Sequence, residues 1–140
     1  MILFCDTSAL IKLYIVEEGS ETLKQLVQET EAVAVSRIAC AEAHAALSRR
    51  AREVPADNTI IDQAKMALAK DWPHFLVLDI NQSLVERAGE YADLFALRGY
   101  DSVQLASAFD TGRISQLPIF FACFDTRLNK AAKLLGMSCL

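Results

Sequence analysis

The chain has 140 residues, 53% of them hydrophobic and 23% charged, with a formal net charge of −4. That length suits one domain with a real core, and that apolar share excludes a disordered chain. The acidic balance argues against a globally basic nucleic-acid binder while leaving room for a local basic patch. No apolar run approaches the ~18 residues that a membrane span needs.

Ile2-Leu3-Phe4-Cys5 reads as a first strand, ended by Asp6-Thr7-Ser8, with a helix over Ala9–Tyr14. Gly19 closes that helix and Ser20 caps the next, over Glu21–Glu29. Ala32–Val35 is the second strand. Ser36 is an N-cap for a long helix from Arg37 to about Glu53, which Val54-Pro55-Ala56-Asp57 breaks. Asn58–Lys70 is a further helix, and Phe75–Leu78 the third strand. Asn81 or Ser83 starts a helix through Leu97, closed by Arg98-Gly99, and another runs from Ser102 to about Thr111. Leu117–Phe124 contains the fourth strand. Asp125 opens a helix to Leu135, Gly136 stops it, and Met137–Leu140 can add an edge strand.

Near-continuous apolar strands alternating with helices imply an α/β domain, residues 1–140, with a mostly parallel sheet of four to five strands covered on both faces. Leu23, Leu26 and Val27, with Ile60, Ile61, Ala64 and Leu68, exceed what a small sheet needs. They are candidates for a partner surface as well as for the core. The four cysteines, Cys5, Cys40, Cys123 and Cys139, form no C-x-x-C pair, so a zinc cluster is not expected. Cys5 and Cys40 read as small buried fillers. Asp6 interrupts the first apolar run, so no signal peptide is expected, and the expected location is a cytoplasm that keeps thiols reduced.

Four acids stand out. Asp6 and Asp125 follow the first and fourth strands and so fall on the same rim of a parallel sheet. Asp101 sits at a helix start. Helix capping explains all three. It does not explain Glu42, read as mid-helix among alanines on a face with Ile38 and Ala45, where a carboxylate needs a partner. A salt bridge to Arg49, or plain exposure, would also satisfy it. If the four converge, two carboxylates about 4 Å apart repel by roughly 4 kcal/mol at an effective dielectric of about 20, so they need a cation. Hard oxygen donors without a His or Cys cluster select Mg²⁺ or Mn²⁺.

The motif Asp6-Thr7-Ser8-Ala9-Leu10-Ile11-Lys12-Leu13-Tyr14, with Glu17 and Gly19-Ser20 beyond, resembles the opening of a PIN-domain ribonuclease. More narrowly it resembles the VapC toxins of VapBC toxin–antitoxin pairs. Ala41-Glu42 resembles the family's second acid block. Leu97–Ala108, around Asp101, resembles the third, and Phe124-Asp125-Thr126-Arg127-Leu128 the last. The four blocks stand in order across nearly the whole chain. Cys123 departs from the family's usual Ser or Thr two residues before the last acid, and Ser102 and Gln104 replace the commoner Ala and His.

The resemblance implies a PIN-like three-layer α/β/α fold and a Mg²⁺-dependent endoribonuclease that cleaves RNA with a metal-activated water. It also implies a homodimer and a cognate antitoxin protein; the short apolar runs give no expectation of a membrane partner. Asp6, Glu42 and Asp101 would bind the principal ion, and Asp125 a second ion or the attacking water. Ser8, or less favourably Thr7, would hold Asp6 or a metal-bound water, and Cys123 would support Asp125. Lys12, Arg98 and Arg127 are the first candidates for RNA contacts, with Arg49, Arg50 and Arg52 as a basic run that also suits a solvated surface. His44 lies about 200° around its helix from Glu42 and should not share a metal with it. Tyr14, Trp72 and Phe95 read as packing residues. The alternatives are an RNA-processing PIN nuclease without an antitoxin, a phosphoacceptor domain, and a PIN scaffold without activity. The phosphoacceptor lacks its expected acid pair after the first strand and a Lys near the last.

Overall fold

The computed structural model describes residues 1–140. Its centre is β1 (Ile2–Cys5), which pairs in parallel with β2 (Ala32–Ser36) on one side and β4 (Ile119–Ala122) on the other. The short strands β3 (Leu76–Leu78) and β5 (Ser138–Cys139) extend the two edges, giving an all-parallel sheet in the order β3-β2-β1-β4-β5. Alternate residues of β1 feed opposite cores, as the two-residue period of a strand requires. Ile2 and Phe4 enter one, and Leu3 and Cys5 the other.

Parallel strands need crossovers, and here these are helices on both faces. One layer consists of α1 (Thr7–Lys12), α2 (Ser20–Glu29), α3 (Ala39–Glu53) and α4 (Asn58–Asp71), packed through Leu10, Leu23, Ala39, Ala43 and Leu68. The other consists of α5 (Gln82–Phe95), α6 (Gly99–Ser115) and α7 (Thr126–Leu134), packed through Leu84, Ala88, Leu105, Leu128 and Ala131. Asp110, nearly buried, takes Arg87 and Arg113 at 3.3 Å each and ties α5 to α6. This is the expected three-layer α/β/α arrangement. No helix is long and apolar enough to cross a membrane.

The element boundaries differ from expectation where side chains compete with local signals. Ser36 is not a cap. It stays in β2 opposite Leu78, and α3 starts at Ala39. Glu42 is therefore in the first turn of α3, not at mid-helix. Ser20 is inside α2, where its hydroxyl donates to the Ile15 carbonyl and accepts from the Glu17 N–H, while Gly19 holds the cap position. The left-handed Ala96 closes α5, two residues earlier than expected, and Arg98 takes the N-cap position of α6. Asp101 consequently lies inside the first turn of α6 and caps nothing. That helix continues past Thr111 to Ser115, with the Ser107 and Thr111 hydroxyls satisfied inside it by carbonyls four residues earlier.

The apolar surplus on α2 and α4 is mostly core. Leu23, Ile61, Ala64 and Leu68 are buried, Leu26 and Val27 are half-buried, and only Ile60 is exposed. Cys5 is the buried filler expected, whereas Cys40 is half-buried.

Candidate active site

The chain winds outward from β1 to β2 and β3, then returns to place β4 on the other side of β1. That reversal lies between β1 and β4, and the carboxyl ends beside such a reversal are where open parallel sheets bind ligands. Asp6 follows β1 and Asp125 follows β4 by three residues. The Asp6 N–H donates to the Ala122 carbonyl at 3.1 Å, so the two strand ends are stitched together.

Asp6 is 7% exposed. Its Oδ1 accepts from the Ser8 hydroxyl at 2.7 Å and from the Ala9 N–H at 2.9 Å. Capping and site geometry thus coexist in one side chain, and Ser8 holds Asp6 as expected. Burial pushes the Asp6 carboxyl above its ordinary range. The bonds from Ala9, Ser8 and Cys123 oppose that shift, and the Asp101 charge adds to it.

Thr7, the less favoured candidate for holding Asp6, donates its hydroxyl to Glu42 Oε1 at 2.8 Å. The same oxygen accepts from Gln104 Nε2 at 2.9 Å, and that nitrogen also lies 3.2 Å from the Thr7 hydroxyl. Gln104 is buried, on α6, so three elements meet on the Glu42 carboxylate. The Arg49 alternative is absent, since that side chain pairs with Glu53. Asp101 is half-buried. Burial raises its carboxyl, Asp125 and Glu42 raise it further, and Arg98 partly offsets them. Asp125 is exposed and caps α7, its Oδ1 accepting from the Leu128 N–H at 2.8 Å.

Cys123 is fully buried, and its sulfur accepts from the Asp125 N–H at 3.2 Å, so it supports the backbone of that residue. Burial first, then the Asp6 charge, pushes its thiol far above the ordinary value. Asn129 donates to the Cys123 carbonyl at 2.9 Å.

The four acids therefore share one rim, with Asp101 at its electrostatic centre: its charge acts on Asp6, and the Asp125 and Glu42 charges act on it. Each is anchored separately, and no three His, Cys, Asp or Glu side chains converge as a ready-made cation site. The donor chemistry nonetheless suits a hard divalent cation. On Glu42 the Thr7 and Gln104 donors share Oε1, and on Asp125 the Leu128 N–H takes Oδ1, so each keeps a second oxygen for another partner, while Asp6 is held by Ser8, the Ala9 N–H and Cys123. His44 is exposed and takes no part.

The expected cations divide. Arg98 and Arg127 line a cleft of about 520 Å³ together with Asp101 and Asp125, and Arg127 also donates to the Ala96 carbonyl at 3.1 Å. Lys12 is committed to Glu17 at 3.1 Å, and Arg50 reaches the same carboxylate at 2.7 Å. Burial works against the Glu17 charge, but hydrogen bonds from Arg50 and Lys12 outweigh it and hold the carboxyl below its usual range. Tyr14, Trp72 and Phe95 pack as expected, Tyr14 through a 2.8 Å bond to Asp71. Sequence reasoning noted Gln104 only as a departure and passed over Phe124 and Asn129. A polar amide in the otherwise small and apolar Ser102–Ala108 run was the available signal, since a buried amide needs partners.

A parallel α/β/α domain with four carboxylates on the rim of its topological reversal defines the class. The chain belongs to the PIN domain family, whose model matches residues 3–134. It is 32% identical over 140 residues to Ribonuclease VapC49 of Mycobacterium tuberculosis (strain ATCC 25618 / H37Rv), covering 96% of this chain and 92% of that one. Among solved structures it is similar to PAE2754 from Pyrobaculum aerophilum, with a TM-score of 0.68, 22% identity, and 99% and 89% of the two chains covered. VapC20 of Mycobacterium tuberculosis, described as a sarcin-ricin loop cleaving toxin, gives a TM-score of 0.66 at 21% identity, covering 92% and 94%. A chain of a toxin–antitoxin complex from Klebsiella pneumoniae gives 0.55 at 24%, covering 86% and 84%.

Proposed function

We propose that this chain is a divalent-metal-dependent endoribonuclease, with Mg²⁺ as the working ion and Mn²⁺ as a substitute, acting as the toxin of a toxin–antitoxin pair. The observation that carries this is the set of four carboxylates on one rim, with the donors to Glu42 and to Asp125 gathered on one oxygen of each. The names of the VapC relatives support RNA as substrate, and the toxin–antitoxin complex among the structural neighbours supports a protein inhibitor.

Asp6, Glu42 and Asp101 would hold the ion, and Asp125, the most exposed of the four, would orient the attacking water. A divalent cation, when bound, makes water more acidic and neutralises charge on the phosphate. Ser8 and the Ala9 N–H fix Asp6, and Thr7 and Gln104 fix Glu42, so neither carboxylate needs to reorganise when substrate arrives. Arg98 and Arg127 would steady the RNA backbone beside Asp101 and Asp125. An antitoxin cation reaching the same carboxylates would inhibit in competition with the ion. A homodimer and a cytoplasmic location complete the reading, the latter in keeping with four free cysteines.

The test is cleavage of single-stranded RNA by the wild type and by Asp6→Asn, with and without Mg²⁺. Activity only in the wild type with Mg²⁺ is expected. Wild-type activity in Asp6→Asn refutes the reading.

A further inference from the structure

Phe124 is the one residue that borders both clefts flanking the acids. The first, about 540 Å³, runs between α1 and α3 past Ser8, Lys12, Arg49 and Arg50; the second holds Asp101, Asp125, Arg98 and Arg127. Phe124 is 43% exposed and immediately precedes Asp125.

This exposed ring is held in place. Lys12 Nζ sits over one face, 4.6 Å from the centroid, which leaves the opposite face for a base, and Lys12 is itself fixed through Glu17 to Arg50. On another side the Gly19 backbone approaches so closely that a Cβ there would lie 2.8 Å from Cε1 and Cζ, and Gly19 adopts a φ of 91°, which a side chain would resist. The other paired aromatics pack on one another: Phe4 stacks on Phe121, Trp72 meets Phe75 edge to face, and Tyr91 meets Phe95 at a tilt and Phe109 edge to face. Phe124 has no aromatic partner of its own. A rigid, exposed, unstacked ring between two arginine-bearing clefts matches the way proteins grip unpaired strands, with bases on aromatic faces and phosphates on cations.

We propose that Phe124 is a base-stacking platform for single-stranded RNA, seating the base of a nucleotide beside the scissile phosphate while the flanking backbone runs into the two clefts. This rests on the ribonuclease reading above. Because every base has a π-face, the platform contributes affinity and register, not base identity. The charge relay Arg50–Glu17–Lys12 serves the site by immobilising the ring.

The experiment measures binding of a short fluorescein-labelled single-stranded RNA by anisotropy, in an Asp6→Asn background, for Phe124, Phe124→Leu and Phe124→Tyr. Leucine keeps an apolar side chain but removes the π-face. It is expected to weaken binding by about ten- to a hundredfold, with tyrosine restoring it. The same RNA is then scanned with one abasic nucleotide. One position should reproduce the loss in the Phe124 parent and add nothing in Phe124→Leu, a non-additivity that a purely structural role would not produce.

KM and kcat in the otherwise wild-type enzyme give the second readout, with Phe124→Leu raising KM. Equal RNA affinity and KM in Phe124→Leu overturn the platform, as do additive abasic and Leu effects. A variant that loses only antitoxin inhibition makes the ring a protein contact and also overturns it. If the wild type itself cleaves no RNA with Mg²⁺, the ribonuclease reading has failed. If it cleaves and Phe124→Leu is neutral, only the platform has.

Discussion

Replacing Gln104 by leucine should separate activity from stability. The Gln104 amide gives Glu42 Oε1 a hydrogen bond at 2.9 Å, while its own carbonyl oxygen is buried without a partner. Losing a bond to a charged group costs ~1.5–3 kcal/mol, and removing a buried unpaired carbonyl returns ~1–3 kcal/mol. The two nearly cancel, so the urea midpoint of Gln104→Leu should stay close to wild type. Glu42 keeps the Thr7 hydroxyl at 2.8 Å but loses the donor that fixes its second direction. Outer partners of metal-holding carboxylates typically matter by about 10–100-fold. That corresponds to ~1.4–2.7 kcal/mol of barrier. Single-turnover RNA cleavage across a Mg²⁺ titration would show a lower rate, a higher Mg²⁺ midpoint, or both. Full activity at every Mg²⁺ concentration would refute the reasoning. So would a stability loss that accounts for the activity loss.

In the metal-free protein, Asp6 and Asp101 both have carboxyls raised in the folded state. Such groups stabilise the fold when protonated, and this contribution is lost as pH rises through the folded-state values. The metal-free melting temperature should therefore rise on acidification from neutral pH toward the carboxylate range. Asp6→Asn should raise it at neutral pH and flatten its pH dependence, measured by calorimetry in chelator. Cys123, buried and with a strongly raised thiol, should resist thiol reagents in the folded protein and react only on unfolding, as mass mapping after timed labelling would show. Cys123→Ser should retain activity, because a hydroxyl oxygen can still accept the Asp125 N–H.

The sheet was legible because buried parallel strands are continuous apolar runs, and Ile2–Cys5 and Ile119–Ala122 are such runs. Asp6 and Asp125 were legible for the same reason, since each follows the end of a run. Glu42 was found for a partly mistaken reason. Ser36 resembled a cap, which lengthened α3 on paper and made Glu42 look stranded at mid-helix. Strand pairing with Leu78 keeps Ser36 in the sheet and moves Glu42 into the first turn, where the helix dipole favours its charge. The Thr7–Gln104–Glu42 contacts were not legible, because they join residues separated by as many as 97 positions. The end of α6 was misjudged because Thr111-Gly112 reads as a stop. Gly112 instead lets the helix lie against Ile119, where a Cβ would come within 2.9 Å of that side chain.

The rim solves two problems with the same side chains, and this decides which substitutions are informative. Asp6 and Asp125 each cap a helix through one carboxylate oxygen, which accepts from the Ala9 N–H and the Leu128 N–H respectively. Asp101 and Glu42 lie inside first turns and cap nothing. An alanine at Asp125 therefore removes a cap as well as a charge, and should cost ~0.5–2 kcal/mol of stability. Asparagine caps about as well as aspartate, so Asp125→Asn should leave stability nearly intact while removing the charge. At Asp101 no cap is at stake, and alanine relieves repulsion from Asp125 and Glu42. Asp101→Ala should thus be at least as stable as wild type without metal, and Asp125→Ala should be less stable. Urea unfolding of the three variants in chelator measures this directly. If Asp125→Ala and Asp101→Ala shift the midpoint equally and in the same direction, the division of labour between capping and charge is wrong.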